Sequence, residues 1–359
     1  MPPRFPQAQA LDCFVPDARQ VALSERWLTP HIDSISAAIA EIRAGVDREF
    51  VELQRASTHP QAAHLAGLTD IRTYPYGYCD RIRDAVWDAM QWQLKAGVRS
   101  DHPFAPIAEF CREGGAMRKI WGELTHGPYL QNAMQLGTYY VDAANDTVDI
   151  RKPKLEVKLI ADTTFRNIES FEHYFDVVDS YYEWDTYPNL YFPRLAPFFP
   201  GIARHRASGV WVFCDVPLPL IAKNLERGGS LAWRFLAESA YARKCPASDG
   251  AELLDHYARL VRPADSPDRR PYRLDGDMTE SFRRLAAWLQ QGLAGSVYMR
   301  ETSSLDQLRK QLDRGLRAYS LKKARGEPGT DASSNTLSPM EEVEDARETA
   351  VTSAGSRLF

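Results

Sequence analysis

The apolar residues of this chain switch repeatedly between helical and strand periods, and that switching restricts the fold more than any single motif does. Ile32, Ile35, Ile39, Ile42, Val46, Phe50 and Leu53 recur every three or four residues, the spacing that lines one face of an α-helix. Thr29 is placed to cap this helix, and Pro30 suits its first turn. A second helical stretch runs from Cys79 to about Leu94, with Ile82, Val86, Met90 and Leu94 on one face. Past Gly114-Gly115 the period becomes two. Met117 to Leu124 and Tyr129 to Leu136 read as strands, Gly137-Thr138 as a turn, and Tyr139 to Ala143 as the returning strand. Leu155, Val157 and Leu159 alternate with Glu156 and Lys158, which predicts a half-buried fourth strand. Helical spacing resumes after Asn167, a candidate cap, with Phe171, Phe175, Val178 and Tyr182 on one face. Val210 to Val216 reads as a buried strand, and the chain from Leu218 to about Tyr319 reads as mostly helical. Strands gathered in the middle with helices on both sides predict an α+β fold. Its core is an antiparallel sheet over about 117–160 plus 210–216, packed with flanking helices.

A chain of 359 residues can bury a sizeable core. Residues 21–321 are expected to form a single large domain whose C-terminal half, from about 218, is mostly helical. Residues 1–20 are Pro-rich and aperiodic and read as a flexible arm. Residues 322–359 are rich in Ser, Thr, Glu, Gly and Pro, with too little apolar surface to offset ordering entropy, and read as a disordered tail. The five cysteines are odd in number, scattered and without a C-x-x-C pair. That argues against a zinc ribbon and a disulfide framework, and for a reducing compartment. Met1-Pro2-Pro3-Arg4-Phe5-Pro6 has no apolar signal core, and no run approaches the ~20 apolar residues of a membrane span. A cytoplasmic location is expected, and delivery by a specialised secretion system is compatible with the same features. A net charge of −4 provides no basic field, so neither nucleic acid nor membrane is an expected partner. Phosphate-binding glycine motifs and the G-x-S-x-G elbow are absent, and no cofactor is expected.

Chemistry concentrates at Cys79, in Tyr74-Pro75-Tyr76-Gly77-Tyr78-Cys79 at a helix start. The first turn of a helix offers unpaired N–H groups and partial positive charge, which favour the thiolate by ~1 kcal/mol. A thiol nucleophile needs a base and a group that orients it. His126 opens the second strand and Asp142 lies near the end of the third. A hairpin turning at Gly137-Thr138 brings those two ends together. The set is then Cys79 as nucleophile, His126 as base and Asp142 as orienting acid.

Gly-x-Cys at a helix start, followed by strands that carry His and then Asp, resembles the transglutaminase-like branch of the papain-like cysteine superfamily. The resemblance covers about residues 77–145. It implies a thiol-dependent acyl-transfer or amide-hydrolysing enzyme (peptidase, deamidase or transglutaminase-like) with the same three residues in the same roles. Gly127-Pro128 follows His126 where that family often carries an aromatic residue. No Gln shortly precedes Cys79, so Tyr74 or backbone amides would stabilise the oxyanion.

Other constellations point elsewhere. The run Asp142–Asp149, with Glu156, is dense in oxygen ligands and fits a turn or a Mg²⁺ or Ca²⁺ site. A metal there would indicate a metal-dependent glycosyl- or nucleotidyl-transferase, although no metal ligand set is assigned. Glu169, Glu172, His173 and Asp176 fit a solvated helix face. Tyr181 to Pro193 is aromatic enough to line a groove for peptide or sugar, or to lid the core. The candidate binding residues are Tyr74 and Tyr78 beside the thiol, with Trp184 and Tyr187 in the aromatic run. Two readings follow. One is an enzyme acting on a peptide, protein or small acyl or amide substrate. The other is a non-catalytic binding or assembly protein, using the aromatic run and a helix stripe suited to self-association.

Overall fold

A computed structural model describes residues 11–56, 74–125, 129–192, 195–260 and 296–325, together with Arg283. The arrangement is α+β, with two antiparallel sheets. Helices α1 (Ala18–Leu23) and α2 (Ile32–Ala56) lead to α3 (Cys79–Ala96) and α4 (Ala105–Arg112). Five strands follow: β1 (Met117–Leu124), β2 (Tyr129–Leu136), β3 (Tyr139–Asp142), β4 (Glu156–Leu159) and β5 (Phe165–Asn167). They form one sheet in the order β4-β3-β2-β1-β5. After α5 (Phe171–Tyr181), a second sheet is built from β6 (Trp184–Pro188), β7 (Gly201–His205) and β8 (Trp211–Phe213). The strand expected at 210–216 therefore belongs to this smaller sheet. Helices α6 (Leu218–Glu226), α7 (Ser230–Trp233), α8 (Ser248–Leu260) and α9 (Ser296–Ala324) complete the described fold.

Alternation decides which side of the large sheet each helix covers. Met134, Leu136, Tyr139 and Val141 share one face and join a core with Ile35, Ile39, Ile82, Val86, Ile107 and Phe110 of α2, α3 and α4. Trp121, opposite Asn132 on the same face, belongs instead to the core shared by α5, the second sheet and the C-terminal helices. The helix face of the sheet thus has a seam near Asn132. The opposite face carries Ile120, Ala133 and Tyr140, with Cys13, Ile160 and Phe165 against them.

Residues 11–20, expected as a loose arm, are docked. Leu11 O accepts from Trp121 N at 2.7 Å, and Cys13 N donates to Asn167 Oδ1 at 2.8 Å. The Gln135 amide bonds both N and O of Phe14. The arm supplies polar partners that the sheet's second face lacks, which a Pro-rich composition does not reveal. Asn167 consequently does not cap α5; Ser170 does, accepting from His173 N at 3.1 Å. Thr29 likewise bonds Ser24 O and Tyr139 rather than capping α2. Helix α9 runs to Ala324, past the start of the tail expected from 322; residues 326–359, the rest of that expected tail, lie outside the described residues.

Gly122 lets β5 approach β1. A Cβ there would lie 2.2 Å from the Arg166 carbonyl oxygen and 2.7 Å from the Phe165 ring. Backbone cannot yield as a flexible side chain does. Gly122→Ala is expected to cost about 1–3 kcal/mol, read as a lowered urea midpoint with an unchanged slope.

Candidate active site around Cys79

Gly77, at φ +72°, makes the turn that delivers the chain to α3. Its N–H reaches Thr147 O at 3.4 Å, and Tyr78 N closes on Pro75 O at 3.1 Å. Tyr74 and Tyr78 hold this turn from below. Their rings lie edge to face at 5.3 Å, each 6.0 Å from Phe50, and the Tyr74 hydroxyl donates to Asp47. Tyr74 therefore spends its hydroxyl on α2 rather than on an oxyanion. Burial, then the Asp47 hydrogen bond, raises its pKa.

Cys79 is the first residue of α3 and is partly buried. Its Sγ accepts from Asn132 Nδ2 at 3.2 Å. Arg83, one turn along the same helix, donates from Nη1 to Asn132 Oδ1 at 2.6 Å. That second bond fixes the amide orientation: with Oδ1 held by a guanidinium, Nδ2 faces the sulfur. Arg83 is itself buried and is tied to Asp84, which Lys119 also contacts at 3.0 Å. The arrangement is a chain of charge-assisted bonds from Asp84 through Arg83 to the Asn132 amide, whose other end donates to the thiol.

The thiol's proton affinity runs against the simplest expectation from a helix start. Burial raises the Cys79 pKa above its ordinary 9.0. The Asn132 bond and the Asp80 N–H favour the thiolate, whereas the Asp80 and Asp142 charges disfavour it. Burial wins, so the resting group is the protonated thiol.

Asp142 is held elsewhere. Its Oδ2 accepts from Gln131 Nε2 at 2.5 Å and from the Tyr140 hydroxyl at 3.4 Å, while Oδ1 accepts from Ala144 N at 2.8 Å. The register pairs Met134 with Val141 and Gln135 with Tyr140. Asn132 and Val141 therefore share the helix face, while Gln131, Tyr140 and Asp142 share the other. The sheet lies between the Asp142 carboxyl and the thiol, so it does not orient a base beside Cys79. Burial raises its pKa to about 7. His126 lies outside the described residues.

The remaining candidates are dispersed. Trp184 meets the His205 ring at 4.9 Å and Tyr187 meets Trp211 at 5.5 Å, both within the second sheet. The aromatics nearer the thiol are Tyr181 and Tyr182, an edge-to-face pair at 4.7 Å, 40 % and 44 % exposed. Burial raises both of their pKa values, and the Cys79 charge adds to the effect. In the acidic run, Asp146 faces Arg43 and Asp149 faces Arg151. His173 and Arg166 meet at Glu123. Among the described residues, no three His, Cys, Asp or Glu side chains gather as a metal centre, and no helix is long and apolar enough to cross a membrane.

Asn132 and Arg83 were the partners to find. The sequence held two signals. Gln131-Asn132 puts consecutive polar residues inside a strand otherwise rich in apolar ones, so one of them must face each side. Arg83 stands four residues after Cys79, on the same helix face. No protein-family model, curated protein or solved structure matches the chain.

Proposed function

We propose that the protein is a thiol-dependent enzyme of acyl transfer or amide hydrolysis with Cys79 as its nucleophile. The observation that carries this reading is the Asn132 amide, clamped by Arg83 and donating to Sγ at a helix N-terminus. A base takes the thiol proton as the sulfur attacks a carbonyl carbon; His126 is the proposed base. The carbonyl oxygen becomes an oxyanion, which Asn132 Nδ2–H and first-turn amides of α3 are suited to stabilise. The C–N bond then breaks, the amine leaves with a proton, and an acyl-thioester remains on Cys79. Water completes hydrolysis, or a second amine completes transfer. Burial of a neutral thiol fits proton removal during attack, in contrast to a preformed thiolate–imidazolium pair.

Incubation with p-nitrophenyl acetate, followed by intact mass and peptide mapping, tests the proposal. One acetyl group is expected on Cys79, with none in Cys79→Ala. Asn132→Leu should slow acylation by about 10²-fold, the usual cost of an oxyanion donor. Because the folded thiol titrates above 9.0, the acylation rate should still be climbing at that pH. Acetylation spread over Cys13, Cys111 and Cys245, or an Asn132→Leu rate equal to wild type, would overturn the assignment.

A further inference from the structure

Tyr181 and Tyr182 form an exposed aromatic corner that the proposed chemistry leaves unused. Tyr181 closes α5, and Tyr182 follows as its cap, with N–H donating to Val178 O at 3.0 Å. The two rings stand nearly perpendicular, at 85° and 4.7 Å, and both remain open to solvent. Exposed aromatic rings gathered in one place mark recognition surfaces.

The corner is held from two sides. Glu183, directly after it, has φ +57°, a left-handed conformation usually left to glycine. Arg206 N donates to Glu183 O at 3.0 Å, and β6 begins at Trp184, so this strained turn is tied to the second sheet. On the other side the Tyr181 ring meets that of Tyr129 at 5.9 Å. Lys152 Nζ donates to the Tyr129 hydroxyl at 3.3 Å and lies 5.5 Å over its ring. Tyr129 opens β2, the strand that also carries Asn132. The strand that supplies the amide donor to the thiol therefore anchors the corner as well. The Cys79 sulfur lies close enough for its charge to act on both phenols.

The ring geometry favours one kind of ligand. A flat ring laid on one tyrosine presents its edge to the other, so a perpendicular pair offers both favoured aromatic contacts at once. An alkyl chain gains only buried area there. The Lys152 charge reaches Tyr181 and opposes a cationic ligand.

We propose, on the reading of Cys79 as nucleophile, that Tyr181 and Tyr182 select acyl donors carrying an aromatic ring a short linker from the reacting carbonyl, as a phenylalanyl residue does. The two tyrosines determine specificity: they hold the ring while Sγ attacks the carbonyl carbon.

Acylation of the full chain by the p-nitrophenyl esters of hydrocinnamate, hexanoate and acetate tests the proposal, each rate divided by that of the same ester with N-acetylcysteine. In each reaction sulfur bonds the carbonyl carbon, the ester C–O bond breaks, p-nitrophenolate leaves and the thiol proton passes to the base. Hydrocinnamate is expected to lead hexanoate by about tenfold, the strength of two aromatic contacts. Tyr181→Leu and Tyr182→Leu keep apolar bulk at exposed positions, so they should hold the wild-type melting temperature. Each should cut that lead by about threefold or more. Calorimetric titration of Cys79→Ala with hydrocinnamamide reads the corner without the chemistry: saturable binding is expected, weaker in the double variant Cys79→Ala, Tyr182→Leu. A ratio near one on an acylated Cys79 would overturn the aromatic subsite and leave the nucleophile standing. Absence of saturable hydrocinnamamide binding, or an undiminished lead in both leucine variants, would overturn it as well. Hydrocinnamamide binding with no ester acylating Cys79 would instead remove the nucleophile and keep the aromatic site.

Discussion

Asp142→Asn is expected to gain about 4 kcal/mol of stability on the wild type between about pH 4 and pH 8. The Asp142 carboxyl is 1 % exposed, and burial raises its pKa from 3.8 to about 7. In an unfolded chain the proton leaves near 3.8, so at intermediate pH the native state holds a proton that the unfolded state has released. Stability from this group is complete below the unfolded pKa and is lost as pH rises through the folded one. Asparagine has no such titration. It should be the weaker protein in acid, where it misfits the donors Gln131 Nε2 and Ala144 N–H, and should close on or overtake the wild type above neutrality. Urea unfolding of both proteins across that range gives the difference directly, and a carbon NMR titration of the Asp142 carboxyl gives the pKa itself. A difference that does not vary with pH would show that the carboxyl ionises in its usual range.

Arg83→Met is the second large effect. The guanidinium is 5 % exposed, bonds Asn132 Oδ1 at 2.6 Å and reaches the Ile120 carbonyl at 3.5 Å. Methionine keeps much of the packing volume and leaves those acceptors without their donor. A loss of about 2–4 kcal/mol is expected. Asp84, 43 % exposed and still contacted by Lys119, adds little to that cost. A purely structural Arg83 would change stability alone. As the clamp on Asn132, it should also move Cys79: the amide becomes free to rotate, the thiolate loses a donor, and the alkylation profile of Cys79 shifts to higher pH. Arg83→Lys restores the charge without the planar fork and should rescue stability better than it rescues that profile. An alkylation profile identical to wild type in both variants would remove Arg83 from the site.

Much of the secondary structure was legible because burial patterns are local. The β1 and β2 spans follow from alternation, and the Gly137-Thr138 turn follows from its dipeptide. The helix beginning at Cys79 follows from the spacing of Ile82, Val86 and Met90. The pairing of Asp142 with the thiol did not follow. Both faces of β2 are buried, with Met134 and Leu136 on one and Ala133 on the other, so the sequence carries no inside–outside contrast to say which face a helix covers. A hairpin brings two strand ends together, but strand parity decides on which side each carboxyl or amide emerges. The aromatic run was similarly ambiguous: Trp184 and Tyr187 found ring partners in a second sheet, whereas Tyr181 and Tyr182 kept exposed faces.

The sequence by itself determined that strands lie between helical stretches and that Cys79 begins a helix, because periodicity and turn chemistry act over a few residues. Tertiary structure decided the thiol's surroundings. A sheet is a barrier only a few ångströms thick, and register alone put Asn132 on the thiol's side of it and Asp142 on the other.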